Sequence, residues 1–223
     1  MICAGVGPGD PELMTLKTAR LIREADIVCV PGKEAREAAA YKIAREAVPE
    51  LEKKELIALD MPMLKDREAI SKTHKEAALT LEKLIDSGKK LLYLTLGDPT
   101  LYCSFSFLQH ILEADGYEAE LIPAVSSVTA AAARLSLPLC EWDEPLHIVP
   151  AAHKSEEKLN YPGNYVLMKS GSSMPEVKKL LEESGRRAWA AENCGMENEK
   201  IYRSLGEIPD DAGYFTIIIA KQP

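Results

Sequence analysis

The sequence has few aromatic residues, no paired cysteine spacing, no long apolar run and no excess of positive charge. Aromatic side chains make up 6% of its 223 residues, which is little for a surface on which nucleic-acid bases stack. The formal net charge of −8 gives the protein as a whole no attraction for a polyanion. We therefore predict no nucleic-acid partner, although a local group of Lys and Arg side chains could hold a small anionic ligand.

The cysteines and histidines lack the spacings of metal or disulfide sites. The cysteines are odd in number and contain no C-x-x-C pair; they are Cys3, Cys29, Cys103, Cys140 and Cys194. Structural zinc needs paired spacing and a disulfide framework needs an even set, so we expect reduced thiols in a cytoplasmic protein. The histidines show no ligand spacing either, and we predict no metal site; they are His74, His110, His147 and His153.

The N terminus and the apolar runs bear on the location of the protein. The first residues contain no basic region followed by a long apolar stretch, so we expect no signal peptide. No apolar run reaches the length of a membrane span, so we expect no membrane partner. With 46% apolar and 28% charged residues, the composition is ordinary for a soluble globular protein of one large or two small domains.

The order of elements predicts an α/β fold in two domains. Strands are predicted at about residues 1–6, 27–31, 55–59 and 91–96, with helices between them. This alternation is typical of a mostly parallel sheet that is covered on both faces. The second half is richer in short strands, which predicts a mixed sheet. Pro123 marks the predicted boundary, so we expect an N-terminal α/β domain at 1–122 and a C-terminal α/β domain at 123–223.

The first motif, Gly5-Val6-Gly7-Pro8-Gly9-Asp10, joins the first strand to the first helix. A glycine-rich turn at this place lets a ligand approach the backbone and the helix N terminus. It differs from the dinucleotide fingerprint, because Asp10 stands at the third glycine position and Pro8 removes an amide donor. The second strand also lacks the acidic residue that binds ribose. A purely structural turn remains an alternative.

The residues after this turn predict a helix. Asp10 can cap it, Pro11 suits the first helical position and Glu12 favours the positive end of the helix dipole. Its predicted apolar face consists of Leu13, Leu16, Ala19 and Ile22.

The second and third motifs each allow an ordinary structural reading. In the second, residues 94–102, a buried strand turns at Gly97 and places Asp98 at the carboxyl edge of the sheet, where α/β proteins bind ligands. Asp98 could accept hydrogen bonds from a ribose or an amino group, but Gly-Asp-Pro is also a common turn. In the third, residues 123–132, Ser126 could cap a helix at about 128–135, whose alanines would allow close packing.

Taken together and in this order, the three motifs resemble the tetrapyrrole methylase family. The family includes uroporphyrinogen III methyltransferase, the cobalamin-pathway methyltransferases and diphthine synthase. The resemblance is clear from Gly5 to about Pro150 and weaker beyond. Residues 94–104, 136–139 and 146–150 are most similar to the branch that methylates C-20 of precorrin-2 or cobalt-factor II. Ala124 departs from the family, which usually has glycine at this position.

The resemblance implies an S-adenosyl-L-methionine-dependent methyltransferase of cobalamin biosynthesis, with S-adenosyl-L-homocysteine as the product of the cofactor. It also implies two α/β domains that form a cleft for the cofactor, and a homodimer. The residues that it assigns to cofactor binding are Pro8, Leu96, Gly97, Asp98, Leu101, Tyr102, Ser126, Ser127, Met168, Asn193 and Phe215. Met168 would lie beside the adenine, with Asn193 and Phe215 nearby, and Pro8 would border the tetrapyrrole. No residue is assigned as the proton acceptor.

The tetrapyrrole substrate would carry many carboxylates. A basic rim formed by Lys33, Arg36, Lys42 and Arg45 could bind them, and a solvated helix face is an equal alternative. Three other functions remain open: another methyltransferase of the same family, including diphthine synthesis; an NAD(P)-dependent oxidoreductase; and a non-catalytic tetrapyrrole carrier. Whether the substrate contains cobalt is not determined by the sequence.

Overall fold

The computed structural model describes residues 1–62, 66–151 and 159–222, without the side chain of Arg67; His153 lies outside this part of the chain. The chain divides into two compact units, Met1–Ser126 and Ser127–Pro223. Each unit contains one five-stranded sheet with helices. The predicted α/β class, with a parallel-rich first sheet and a mixed second sheet, is confirmed.

The first unit is built from alternating strands and helices. Its strands are β1 (Ile2–Gly5), β2 (Ile27–Pro31), β3 (Glu55–Leu59), β4 (Leu91–Thr95) and β5 (Glu120–Ile122). Its helices are α1 (Leu16–Glu24), α2 (Ala39–Ala47), α3 (Arg67–Asp86) and α4 (Phe105–Ala114). The strand order is β3-β2-β4-β1-β5 and every pairing is parallel. The loops after β4, β1 and β5 therefore leave the sheet side by side at its carboxyl edge.

Buried apolar strands hold the first sheet in place. All five residues of β4 are buried, as expected for a central parallel strand with helices on both faces. The Tyr93 ring lies 4.9 Å from the Phe105 ring of α4, and Leu108 and Leu112 pack into the same cluster. Each such side chain contributes about 1.5–3 kcal/mol by its removal from water. This core fixes the end of β4, from which the second motif departs.

The helix expected after Asp10 differs from the prediction. Asp10 does act as a cap, because its Oδ1 accepts a hydrogen bond from the Glu12 amide at 2.8 Å, but the segment is only a 3-10 turn, Pro11–Leu13. The chain then extends, and α1 begins after Thr15, whose Oγ1 accepts from the Thr18 amide at 3.1 Å. Leu16 is 91% exposed, so its expected place on an apolar face is wrong.

The remainder of that expected face is divided between the two pieces. Ile22 is fully buried in α1, whereas Leu13 is 38% exposed in the 3-10 turn. The physical reason is the break itself: two extended residues between the pieces cancel the 3.6-residue repeat on which the prediction rests.

The second unit has a mixed sheet. Its elements are α5 (Ser127–Leu135), β6 (Leu146–Pro150), β7 (Asn164–Met168), α6 (Met174–Glu183), β8 (Arg187–Glu192), β9 (Lys200–Tyr202) and β10 (Thr216–Lys221). The order is β6-β7-β10-β8-β9; β6 and β7 are parallel, and the other pairs are antiparallel. Helix α6 buries Val177 and Leu181 in a cluster with Tyr165, Leu167 and Ile218. Helix α5 packs on β8 and β10.

Candidate functional site

The first two sequence motifs and the first residues of the third, 123–126, meet at the carboxyl edge of the first unit's sheet. They follow β1, β4 and β5, which are neighbours in the sheet. Seven of the residues predicted to bind the cofactor lie in the loops at this edge: Pro8, Leu96, Gly97, Asp98, Leu101, Tyr102 and Ser126. Crevices at the carboxyl ends of parallel strands are the usual ligand sites of α/β sheets.

Backbone hydrogen bonds fasten the glycine-rich turn to the second motif. The Val6 amide donates to the Thr95 carbonyl at 3.0 Å, and the Gly97 amide donates to the Gly7 carbonyl at 2.8 Å. Beyond the parallel pairing of β1 with β4, Gly7 and Gly97 thus form an isolated antiparallel bridge. The two turns therefore form one backbone platform.

Thr18 supports this platform from α1. Its side chain is fully buried, and its Oγ1 donates to the Gly5 carbonyl at 3.1 Å. The Thr15 hydroxyl lies 3.0 Å from the same oxygen of Thr18. Sequence reasoning did not single out Thr18, because a threonine on a helix carries no signal of a tertiary partner. A buried hydroxyl that holds a loop carbonyl stabilises the loop by about 1 kcal/mol.

Gly5 lies where three backbone segments come together. A Cβ atom at this position would stand 2.3 Å from the Gly97 carbonyl oxygen and 2.7 Å from the Ala124 Cβ. Both distances are far below a van der Waals contact, so only glycine fits. The first motif thus needs Gly5 for close packing, whereas Gly7 has a φ of +85° and serves the turn itself.

The Gly97 residue is buried, but a side chain at this position would point into open space. Gly97 has a φ of +70°, and a Cβ built there would meet no heavy atom within 4 Å. Tyr102 also has a positive φ, of 52°, and its side chain is 42% exposed. Leu96 and Leu101 are half-buried, whereas Pro8 is buried. Partly exposed apolar side chains and a tyrosine beside a turn at the sheet edge are typical of the lining of a small-molecule site.

The Asp98 carboxylate is bound mainly within the protein. Its Oδ1 accepts hydrogen bonds from the Thr100 amide at 2.8 Å and from the Thr100 hydroxyl, and its Oδ2 accepts from the Ala124 amide at 2.7 Å. Burial raises the pKa of this carboxyl, but the three hydrogen bonds outweigh burial and hold the pKa below its ordinary value. Asp98 is therefore an ionised acceptor that joins the second motif to the third.

Thr100 and Ala124 are the partners that sequence reasoning missed. The Thr100 contact had a signal, since an aspartate that accepts from the residue two positions on is the Asx turn. The Ala124 contact had none, because it joins positions 26 residues apart in the chain. Ala124 had drawn notice only as a departure from the usual glycine.

In the second unit, three further predicted residues share one edge of the sheet. Met168 ends β7, Asn193 follows β8 and Phe215 precedes β10, which runs antiparallel to both. The Asn193 amide donates to the Phe215 carbonyl at 3.2 Å. Met168 is buried, Asn193 has a φ of 52°, and Phe215 is 47% exposed. Ser127, the remaining predicted residue, begins α5.

A buried glutamate organises this edge. Glu192, 6% exposed at the end of β8, accepts hydrogen bonds from the Gly213 amide and the Tyr202 hydroxyl, both at 2.8 Å, and lies 3.7 Å from the Lys200 Nζ. Burial raises its pKa, but these donors outweigh burial and hold the pKa below its ordinary value of 4.5. Burial, the bond to Glu192 and the charge of Glu192 together raise the pKa of Tyr202 to about 12. Glu192 thus holds the segment before Phe215 against β8.

Neighbouring groups engage three of the four residues of the proposed basic rim, two of them in ion pairs. Lys42 pairs with Glu37 at 2.6 Å, and Arg45 lies 3.5 Å from Glu52. The Arg36 guanidinium donates to the Tyr41 hydroxyl and, through Nη2, to the Glu52 carbonyl. These contacts favour the solvated helix face over an anion-binding cluster for those three residues. Lys33 is exposed, just beyond the end of β2.

A separate cavity of about 500 Å³ lies at the opposite edge of the first sheet, before β5. It is lined by Tyr117, Gly116 and Ala119 together with Glu113, Glu118 and Glu120. It contains none of the motif residues, and its three glutamates would repel an anionic ligand. The motif edge is therefore the better candidate site in this unit.

The fold, the ordered motifs and their convergence define a class of methyltransferases. Residues 1–209 match the model of the Tetrapyrrole (Corrin/Porphyrin) Methylases, and the chain belongs to this family.

Individual proteins of known name are similar to this chain over nearly its whole length. A Methanocaldococcus jannaschii protein named "Probable cobalt-precorrin-2 C(20)-methyltransferase" is 31% identical over 98% of this chain and 94% of its own length. A Sinorhizobium "Precorrin-2 C(20)-methyltransferase" is 26% identical over 98% and 94%. The solved uroporphyrin-III C-methyl transferase of Thermus thermophilus, complexed with S-adenyl homocysteine, superposes with a TM-score of 0.72 at 19% identity, covering 99% of this chain and 91% of its own.

Membrane-spanning helices and metal-binding clusters were also searched for in the described part of the chain. Within residues 1–62, 66–151 and 159–222, no helix has the length and apolar character to cross a bilayer. In the same residues, no group of three or more His, Cys, Asp or Glu side chains is placed to hold a metal ion.

Proposed function

We propose that this chain is an S-adenosyl-L-methionine-dependent methyltransferase that methylates C-20 of precorrin-2 or cobalt-factor II in cobalamin biosynthesis. The observation that carries the proposal is the meeting of the three motifs at one sheet edge in a member of this family. The printed names of the two relatives, similar over nearly the whole chain, support the C-20 position. One name includes cobalt and the other does not, so both substrates belong to the proposal.

The residues of the first unit fit a cofactor at the Gly97 turn. Gly97 is buried, but a Cβ built on it would meet no heavy atom within 4 Å, and Leu96, Leu101 and Tyr102 flank it with partly exposed side chains. A structural neighbour of the same fold was solved with S-adenyl homocysteine, which supports this class of ligand. S-adenosylmethionine, when bound, supplies an electrophilic methyl group on its sulfonium sulfur.

The protein's own contribution would be orientation and exclusion of water. An electron-rich carbon of the tetrapyrrole is already a nucleophile, so positioning it in line with the methyl group accounts for much of the rate. The rigid platform formed by the first and second motifs suits that task, because its backbone hydrogen bonds fix the turn before ligands arrive. Tyr102, half exposed at the turn, would cover one side of the site.

Met168, Asn193 and Phe215 are proposed to contact the adenine, and Ser126 and Ser127 to contact the cofactor as well. Their support is the family pattern, together with the shared sheet edge of the first three. Pro8 is proposed to border the tetrapyrrole. A homodimer is proposed from the family resemblance, and sedimentation of the purified protein would test it. The scattered, odd-numbered cysteines favour the cytoplasm.

The first test is binding. Titration of the wild-type protein with S-adenosylhomocysteine in a calorimeter should show saturable binding at about one site per chain, as a single cofactor pocket requires. The Asp98→Ala variant should bind more weakly, and Gly206→Ala, which changes a glycine in open space in the second unit, should bind like the wild type. A folded wild-type protein without binding would contradict the cofactor assignment and reopen the NAD(P) and carrier alternatives.

The second test is catalysis. Anaerobic incubation with isotopically labelled S-adenosylmethionine and either tetrapyrrole should give a product whose mass shows one added methyl group. Nuclear magnetic resonance spectroscopy of the product should place the label at C-20. A label at another ring carbon would assign a different reaction within the family, and a parallel incubation with a diphthine precursor in place of the tetrapyrrole tests diphthine synthesis. Comparison of the two tetrapyrroles under identical conditions decides between the metal-free and the cobalt-containing substrate.

A further inference from the structure

We infer that Asp98 is a positioning residue: its carboxylate fastens the loop of residues 123–126 to the Gly97 turn, and it acts on the cofactor mainly through the placement of that loop. The inference rests on the proposed function for the identity of the ligand. It differs from the role implied by the family resemblance, in which Asp98 itself would contact the cofactor.

The hydrogen bonds of the carboxylate carry the argument. A carboxylate offers about four lone-pair positions. Three of them are taken by the Thr100 amide, the Thr100 hydroxyl and the Ala124 amide. A ligand donor at Asp98 would therefore find about one acceptor position left. The position of the carboxylate is also fixed by these bonds, so it cannot turn toward a ligand without breaking them.

The same loop is positioned from its other side by close packing. Ala124 stands against Gly5, where a Cβ atom would come within 2.7 Å of the Ala124 Cβ. The Gly97 carbonyl oxygen would be 2.3 Å from the Cβ built on Gly5. The loop of residues 123–126 is thus held between a hydrogen bond from the second motif and a van der Waals contact with the first. Ser126 lies two residues beyond Ala124, so the hydrogen bond and the packing contact of Ala124 both help to position it.

The charge state of Asp98 fits this role. Burial raises the pKa of the carboxyl, and the donors of Thr100 and Ala124 more than offset that effect, so the group stays ionised at neutral pH. An ionised carboxylate only accepts hydrogen bonds. It can therefore hold an amide on one oxygen and the Thr100 pair on the other, which a neutral amide side chain cannot do, since one of its two polar atoms is a donor.

A double-mutant cycle separates positioning from direct contact. Asp98→Ala removes the acceptor, and Ala124→Pro removes the amide donor on the loop. Because the proline ring also fixes φ and enlarges the side chain that packs near Gly5, the fold of Ala124→Pro is checked first by circular dichroism. Each single change should weaken binding of S-adenosylhomocysteine by about 10- to 100-fold, as expected for loss of a charge-assisted hydrogen bond. If Asp98 acts through Ala124, the double variant should bind about as weakly as either single variant. Losses that multiply would overturn the inference, because Asp98 would then contact the cofactor independently.

Two further variants sharpen the result. Asp98→Asn can accept from Ala124 or from Thr100 but not from both, so its binding should lie between that of the wild type and that of Asp98→Ala. Thr100→Val removes one donor inside the turn and leaves the Ala124 bond, so its effect should be smaller than that of Ala124→Pro. The reverse order of these two losses would contradict the inference.

Amide exchange measured without ligand is independent of the proposed function. The Ala124 amide should exchange slowly in the wild type and at least tenfold faster in Asp98→Ala, because its acceptor is lost. Unchanged exchange would refute the positioning role of Asp98, whether or not Ala124→Pro folds. If the wild type binds no S-adenosylhomocysteine while exchange at Ala124 responds as expected, the proposed function fails and the positioning role of Asp98 is retained.

Discussion

Gly5 is the residue whose replacement should most directly disturb the platform of the first unit. Gly5→Ala places a methyl group 2.3 Å from the Gly97 carbonyl oxygen and 2.7 Å from the Ala124 Cβ, which pushes the second and third motifs away from the first. We expect the free energy of unfolding to fall by about 1–3 kcal/mol, as for other overpacked interiors. Binding of S-adenosylhomocysteine should weaken as well. Denaturant titration and calorimetry on the same preparation measure both effects.

Gly206 provides the matched control for this prediction. A Cβ there would meet nothing within 4 Å, and the residue lies in the 3-10 turn Leu205–Glu207 of the second unit. Gly206→Ala should keep or slightly raise stability, because alanine restricts the unfolded chain more than glycine. Equal losses for the two variants would mean that alanine is disfavoured for a general reason, and that the close packing at Gly5 is not the cause.

Glu192 makes a pH-dependent contribution to the stability of the second unit. Glu192→Gln keeps the shape, and its amide can still pair with Gly213 and Tyr202, but the charge is lost. We expect the free energy of unfolding to fall by about 1 kcal/mol at neutral pH, the difference between charged and neutral hydrogen bonds.

The sign of the pH effect follows from the direction of the shift. The pKa of Glu192 in the folded protein lies below its ordinary value of 4.5, so its contribution is complete above that value and is lost as the pH falls toward the folded pKa. Wild type and Glu192→Gln should therefore converge in stability as the medium is acidified. Denaturant titrations at neutral and acidic pH test this, and a constant difference would exclude a charge effect.

At the residue scale, the sequence placed Asp98 and Gly97 at the sheet edge, and the fold puts them there. It did not reveal that Asp98 binds Ala124, that Thr18 supports Gly5 or that Glu192 is buried. These contacts join positions 13 to 26 residues apart along the chain. Periodicity and turn propensity describe neighbours in sequence, so they carry no information about such pairs.

At the element scale, the start of α1 gives a local test of the break in the predicted helix. Thr15 caps α1 through its Oγ1, which accepts from the Thr18 amide. Thr15→Ala should lower the free energy of unfolding by about 1 kcal/mol, the usual effect of losing a cap. Thr15→Ser retains the oxygen and should recover most of the loss. Circular dichroism during thermal unfolding measures the three proteins, and equal stability of the alanine and serine variants would refute the cap.

The same break shows why boundaries are harder to predict than elements. Asp10, Pro11 and Glu12 form a good helix start, and the structure does begin a turn there. Thr15 forms a second good start four residues after Pro11, and the chain uses both. The apolar strands β2 and β4 were easier to predict, because a fully buried parallel strand is a continuous apolar run with few alternatives.

At the scale of the whole molecule, charge sets the electrostatic problem of the proposed reaction. The protein carries a formal net charge of −8, and the proposed substrate carries several carboxylates. This net charge already includes Arg36, Lys42 and Arg45, and the last two are paired with glutamates. The field around the protein should then repel the substrate at low ionic strength.

Salt therefore gives a prediction with a definite sign. Raising the ionic strength from about 0.01 M to about 0.15 M shortens the screening length from about 30 Å to about 8 Å, which should strengthen binding of the polycarboxylate substrate. S-adenosylhomocysteine is a zwitterion with no net charge, so its affinity should change little and serves as the control. Fluorescence or calorimetric titrations at the two salt concentrations measure both. A substrate affinity that falls as salt is added would instead mean that cations near the site dominate the electrostatics. In that case Lys33→Ala, which removes the exposed lysine beyond β2, should reduce the dependence of substrate affinity on salt.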